Sequence, residues 1–224
     1  MNAKSWSQFW ETNSTYACDR HKKIDQDQVL KGQLSFVNRD DVVLDFGCGE
    51  SPKDQLAEAV SELFLFGDAD EISKRLSYRY KDSQNINIVY DLEATTSFST
   101  ILIHSVIQYL SKEEFIDKLK YFRSKMVPEG KLIISDIIPK NISGLKEVIT
   151  LLSIAAKNNF LIDAFLNIFR MAMGEYGSLR KSYNLTKYDK DEIFALLQEA
   201  GFSPELHPNI GLNKDRYCVI SSIK

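Results

Sequence analysis

Cysteine is scarce in this chain. The three residues, Cys18, Cys48 and Cys218, are an odd number with no two close together. That pattern argues against a disulfide framework or a zinc site and fits a reducing compartment, the cytoplasm. A dominant charge is also missing: 28 basic residues face 31 acidic ones, a formal net charge of −3. Nothing here predicts general affinity for nucleic acid or an anionic membrane. Long hydrophobic runs are lacking too. The most apolar stretches, around residues 149–156 and 160–173, are interrupted by Lys157, Asn158, Asn159, Asp163 and Arg170. They are too short and too polar to span a bilayer. The first fifteen residues are polar and aromatic, without the apolar core of a signal peptide. Repeats and low-complexity tracts are absent. With 44% apolar and 26% charged residues over 224 positions, the expectation is one globular domain, residues 1–224, as a monomer or homodimer.

The informative stretch is residues 42–50, Val-Val-Leu-Asp-Phe-Gly-Cys-Gly-Glu. A short apolar run enters Asp45, and Gly47 and Gly49 follow two apart, around Cys48. This reads as a buried strand breaking into a tight turn. Glycine suits such a turn because it accepts φ > 0 and lets a ligand approach the backbone. Residues 51–60 are helix-compatible, which would aim free N–H groups at the turn. A dinucleotide site wants Gly-x-Gly-x-x-Gly, and here Pro52 stands at the third glycine position. A P-loop ending in Gly-Lys-Ser/Thr is absent as well. Asp45 would repel a pyrophosphate; it suits a ligand with a cationic amino-acid end.

On these residues the sequence resembles the class I S-adenosylmethionine-dependent methyltransferases, whose first motif has the form Asp-x-Gly-x-Gly. Many members carry a third glycine where this chain has Ser51. The resemblance implies that Asp45, Gly47, Cys48 and Gly49 hold the methionine part of S-adenosylmethionine, with S-adenosylhomocysteine as product.

Further strands and acids follow in order. Residues 63–67 read as a second buried strand, followed by Asp68 and Asp70. A carboxylate there, about 20 residues past the turn, can accept two hydrogen bonds from ribose hydroxyls. Asp68 fits the spacing, and Asp70 fits the family pattern of an acid six residues before a leucine, Leu76. The choice stays open, and the other acid caps the next helix. Residues 86–90 form a third strand, and Asp91-Leu92 match the family's adenine-binding position; a helix cap is the plain alternative. Residues 98–103 form a fourth strand, with Ser99 where relatives show Asp. His104 follows. It is the candidate general base by its pKa near neutrality, or else a residue that packs against cofactor. Residues 112–125 read as an amphipathic helix, 127–130 as a Pro/Gly turn, and 131–138 as a fifth strand.

The implied fold is α/β: a doubly wound, mainly parallel, seven-stranded Rossmann-like sheet with helices on both faces. Trp6, Phe9 and Trp10 share a helical face in an N-terminal flap, residues 1–38. Residues 139–185 read as a helical cap insert over the acceptor, their apolar side chains mostly lid core. Arg170, Arg180, Lys181, Lys187 and Lys190, with Tyr176, Tyr183 and Tyr188 between them, suggest an anionic acceptor such as a nucleotide-linked or phosphorylated sugar. Residues 186–201 read as a helix with a glycine stop, and 217–223 as the last strand, at the sheet edge. The expected activity is methyl transfer to an oxygen or nitrogen of a small molecule, with no metal and no nucleic-acid or membrane partner. Its rivals are a non-catalytic partner subunit and an NAD-dependent oxidoreductase.

Overall fold

The computed structural model describes residues 15–67, 69–92, 97–174 and 185–223. Trp6, Phe9, Trp10, Asp68, Tyr176, Arg180, Lys181 and Tyr183 therefore lie outside the described residues.

Seven strands form one sheet in the order β3-β2-β1-β4-β5-β7-β6. They are β1 (Val42–Phe46), β2 (Glu62–Phe66), β3 (Ile86–Val89), β4 (Phe98–His104), β5 (Met126–Ile137), β6 (Phe202–Pro208) and β7 (Tyr217–Ile223). The first five are parallel; β7 runs antiparallel to β5, and β6 antiparallel to β7. Among the described residues the α-helices are α1 (Asp19–Leu34), α2 (Asp54–Glu58), α3 (Asp70–Arg79), α4 (Lys112–Lys125), α5 (Gly144–Lys157), α6 (Leu161–Met173) and α7 (Lys190–Glu199). None in the described residues is long and apolar enough to cross a membrane.

The strand sequences explain the layering. Side chains alternate between sheet faces, so Leu44, Phe46, Ile101, Ile103, Leu132 and Ile134 join one core with Phe115, Leu119 and Phe122 of α4 and Ile193 and Leu197 of α7. Val43, Leu63, Leu65, Leu102 and Ile133 join the opposite core with Leu56 of α2 and Ile72 and Leu76 of α3. Burying each large apolar side chain contributes about 1.5–3 kcal/mol. Within the first core, the Phe46 ring stacks on Phe66 at 5.0 Å and meets Phe122 edge-on at 5.1 Å. A capping box, Ser111 with Glu114, starts α4.

Several elements differ from the sequence expectation. The helix after the glycine turn is one short turn, Asp54–Glu58, instead of residues 51–60, so it offers no developed dipole to a ligand. Residues 127–130 are a bulge inside β5: Phe98 pairs with Met126 and Thr100 with Lys131. Strand β7 lies inside the sheet, and β6 forms its edge. Ser99, which replaces the family's acid, ties two strands together. Its hydroxyl donates to Asp41 Oδ1 at 2.8 Å and accepts from the Val42 N–H at 3.0 Å. In the insert, Ala155, Phe160 and Ala164 are buried. The larger apolar side chains of α6 are not lid core: Ile162, Phe165, Leu166, Phe169 and Met173 face solvent.

Candidate functional site

The strand order reverses between β1 and β4, because β2 and β3 lie to one side and β5 to the other. A crevice opens at the C-terminal ends of the strands at such a point. Here it is a cavity of about 370 Å³, within the size range of ligand pockets. Asp45, Gly47, Cys48, Gly49 and His104 line it together, as do Tyr16, Asp25, Lys53, Tyr109 and Lys118. Asp91 and Leu92 lie in an adjoining hollow with Phe66, Tyr90 and Tyr121, and Lys118 borders both spaces. Asp70 is exposed in the first turn of α3 and does not line the cavity.

The turn itself is built by two left-handed glycines, Gly47 at φ 71° and Gly49 at φ 58°. Each has its own reason. A Cβ on Gly47 would stand 2.4 Å from Val106 Cγ2, so glycine lets the end of β1 touch the segment after β4. A Cβ on Gly49 would meet nothing within 4 Å; there only the backbone angle asks for glycine. The Gly47 and Cys48 N–H groups both donate to the Phe66 carbonyl, at 2.9 and 3.2 Å. They hold the turn to β2 and are already engaged. Cys48 is buried, which pushes its thiol up to about 12.

Asp45 points the side chain of a buried strand residue at Lys53, the residue before α2. Their side chains are 2% and 5% exposed, with Nζ 2.6 Å from Oδ2. The contact is off the hydrogen-bonding direction, so Asp45 Oδ2 has no aligned donor. Burial alone would lower the Lys53 pKa, but Asp45 outweighs it and raises it.

A polar network stands behind His104 and Ser105, which line the cavity. His104 Nδ1 lies 2.9 Å from Ser135 Oγ. Next to it Asp136, at φ 66° on β5, is buried. Its carboxylate accepts from Ser105 Oγ at 2.7 Å, Arg216 Nη1 at 2.6 Å and Asn209 Nδ2 at 2.9 Å. Arg216 also donates to Glu147 of α5 at 2.9 Å. Burial would raise the Asp136 pKa, but Arg216 and His104 overcome that and hold it below the usual value. Tyr16 donates to Asp25 Oδ2 at 3.0 Å, and burial followed by the Asp25 charge raises its pKa strongly. Tyr16 therefore stays protonated.

Among the described residues, α5 and α6 do not line the cavity. They act on it indirectly. Asn167 and Arg170 of α6 donate to the carbonyls of Thr15 and Tyr16, at 3.0 and 3.2 Å, and both of those residues line the cavity. Two residues expected near an acceptor have other roles. Lys187 donates to the Ile142 carbonyl at 3.0 Å, and Tyr188 is 1% exposed against Phe115. Sequence reading missed Lys53, Ser135, Asp136, Asn209 and Arg216. Only Asp136 carried a usable signal, an acid inside an otherwise apolar fifth strand.

No protein-family model matches the chain, and no curated protein matches it. Solved structures do. Magnesium protoporphyrin IX methyltransferase (ChlM) from Synechocystis PCC 6803 with bound SAH is 15% identical, over 92% of this chain and 84% of that one, with TM-score 0.56. The N-methyltransferase NodS from Bradyrhizobium japonicum WM9, in complex with S-adenosyl-L-homocysteine, is 14% identical over 91% and 86%, with TM-score 0.56. The dimethyltransferase RosA from Streptomyces davawensis is 16% identical over 90% and 54%, with TM-score 0.59. At such identities the likeness concerns architecture, and it agrees with the strand order, the glycine turn and the crevice described above: the chain has the fold of the class I S-adenosylmethionine-dependent methyltransferases.

Proposed function

We propose that the chain is an S-adenosylmethionine-dependent methyltransferase that acts on an oxygen or nitrogen of a small-molecule acceptor. The observation that carries this reading is one cavity at the switch point, lined by the Asp45-Gly47-Gly49 turn on one side and His104 on another. ChlM and NodS, similar in fold, are named methyltransferases and were solved with the demethylated cofactor.

The residues fit such a cofactor. Asp45 lines the cavity beside the turn, and its carboxylate is the acceptor there for a ligand's ammonium. Gly49 leaves open space beside the turn. In this assignment Asp45, Gly47, Cys48 and Gly49 hold the methionine end, Asp68 or Asp70 the ribose, and Asp91 with Leu92 the adenine. When bound, S-adenosylmethionine supplies an electrophilic methyl group on a sulfonium. His104 takes the proton that the acceptor loses. Tyr16 gives its one hydrogen to Asp25 and, kept neutral by burial and by that charge, offers the cavity a hydroxyl oxygen that can accept a hydrogen bond. Positioning both reactants in one cavity supplies much of the rate.

The acceptor that the sequence suggests is a nucleotide-linked or phosphorylated sugar or a natural product. Of the cations behind it, Arg180 and Lys181 lie outside the described residues. Lys22 and Lys118 of the cavity wall are compatible with such an acceptor.

Calorimetric titration with S-adenosylmethionine, S-adenosylhomocysteine and NADH tests the reading. Micromolar binding of the first two, weakened in an Asp68→Ala/Asp70→Ala variant, is the expected result. A folded protein that binds neither sulfur ligand, or binds NADH instead, would overturn it.

A further inference from the structure

The Asp45–Lys53 pair is unusual for a ligand cavity, because its two charges already face each other. Its geometry is nonetheless incomplete on both sides. Asp45 Oδ2 has no aligned donor. The Lys53 ammonium has three N–H groups, and among the described residues Asp45 is the acceptor it meets. The Lys53 main chain is fixed: its N–H donates to Tyr80 Oη at 2.7 Å, and its carbonyl accepts the Ala57 N–H at 2.8 Å. Both side chains line the cavity beside Gly47 and Gly49.

A buried carboxylate alone would attract a ligand's ammonium and repel a carboxylate on the same carbon. A buried ammonium alone would do the reverse. An opposed pair with spare capacity on each member offers a partner to both charges and adds no net charge to a low-dielectric site. We propose that Asp45 and Lys53 together recognise a zwitterionic α-amino-acid end, Asp45 taking its ammonium and Lys53 its carboxylate. Lys53 is thereby the residue that selects ligands retaining the α-carboxylate. The assignment rests on the cofactor reading above and adds a carboxylate receptor to it.

The test compares four ligands by calorimetry: S-adenosylmethionine, its decarboxylated form, S-adenosylhomocysteine and 5′-methylthioadenosine, which lacks the amino-acid end. A charge-assisted hydrogen bond should give wild-type protein a preference of about tenfold or more for S-adenosylmethionine over the decarboxylated form. In Lys53→Met that preference should fall to within about threefold, while methylthioadenosine affinity is unchanged. Lys53→Met leaves Asp45 buried without its counter-ion. The Asp45→Asn/Lys53→Met variant removes that strain and should show the same loss of preference.

Wild-type protein that binds the sulfur ligands without preferring the carboxylate would overturn the assignment alone. So would a variant that keeps the preference, or one that loses methylthioadenosine equally. Wild-type protein that binds none of the four ligands would overturn the cofactor reading as well.

Discussion

Ser135 sits between the ring of His104 and the backbone of the neighbouring strand. Its oxygen is 2.9 Å from His104 Nδ1, and its hydroxyl donates to the Ile103 carbonyl at 3.3 Å. A hydroxyl has one hydrogen to give. With that hydrogen on Ile103, the oxygen accepts from Nδ1–H, and the lone pair of neutral His104 falls on Nε2. Imidazole nitrogen shifts in a ¹⁵N-labelled sample should therefore report the Nδ1–H tautomer for His104. Ser135→Ala should move the ring toward a mixture of tautomers. Finding the hydrogen on Nε2 in the wild type would refute this arrangement.

Arg216 is the second subject. It bridges the buried Asp136 and Glu147, at 2.6 and 2.9 Å. Replacing it with Met strands a buried carboxylate, so urea denaturation should show a loss of about 3–5 kcal/mol. A loss below about 1 kcal/mol would mean that solvent reaches Asp136.

The same carboxylate predicts a pH dependence. The folded-state pKa of Asp136 lies below its usual value of 3.8. The stability it contributes is thus fully present above that value and drains away as pH falls through the folded pKa. Wild-type protein should lose stability below about pH 4 more steeply than Asp136→Asn, which has no such proton to take up. Parallel curves for the two proteins would count against the pairing.

The two turn glycines should respond differently to alanine. Both substitutions force a side chain into a left-handed angle, at a cost of about 1–3 kcal/mol. Gly47→Ala also drives a Cβ to 2.4 Å from a stiff valine, whereas Gly49→Ala meets open space. Thermal melts should rank Gly47→Ala well below Gly49→Ala. The reverse order would contradict the packing described.

The outer face of α6 makes the opposite kind of prediction. Ile162 is 78% and Phe169 67% exposed. Ile162→Lys and Phe169→Lys should leave monomer stability within about 0.5 kcal/mol of wild type. A drop of several kcal/mol would show that these side chains are buried in solution.

How much of this was legible beforehand depended on the range of the forces involved. Strands such as Val42–Phe46 announce themselves, because burial on both faces demands a continuous apolar run. The glycine turn was legible for a related reason: few other residues accept its backbone angles. Strand β6 was not. It is a half-exposed edge with Pro204 and Pro208, residues that read as loop and are tolerated on an edge. Lys53 looked like any surface lysine after a proline until Asp45 folded against it. Arg216 and Asp136 are 80 positions apart, and nothing local marks either as the other's counter-ion. Tyr188 shows the converse error: placed among basic residues in the sequence, it proved to be core.

The placement of β7 between β5 and β6 has a consequence for how the molecule is made. Synthesis runs from the N-terminus, so β5 emerges about 80 residues before the strand that covers its free side. Until then Leu132, Ile133 and Ile134 present an unpaired apolar edge, the kind that invites pairing with another chain. The segment that ends this exposure also delivers Asn209 and Arg216 to Asp136. Covering of the β5 edge and neutralisation of the buried Asp136 thus come with the same segment. A chain stalled before residue 209 would be sticky and incomplete at once, recognisable to a chaperone by the very strand that the finished protein conceals.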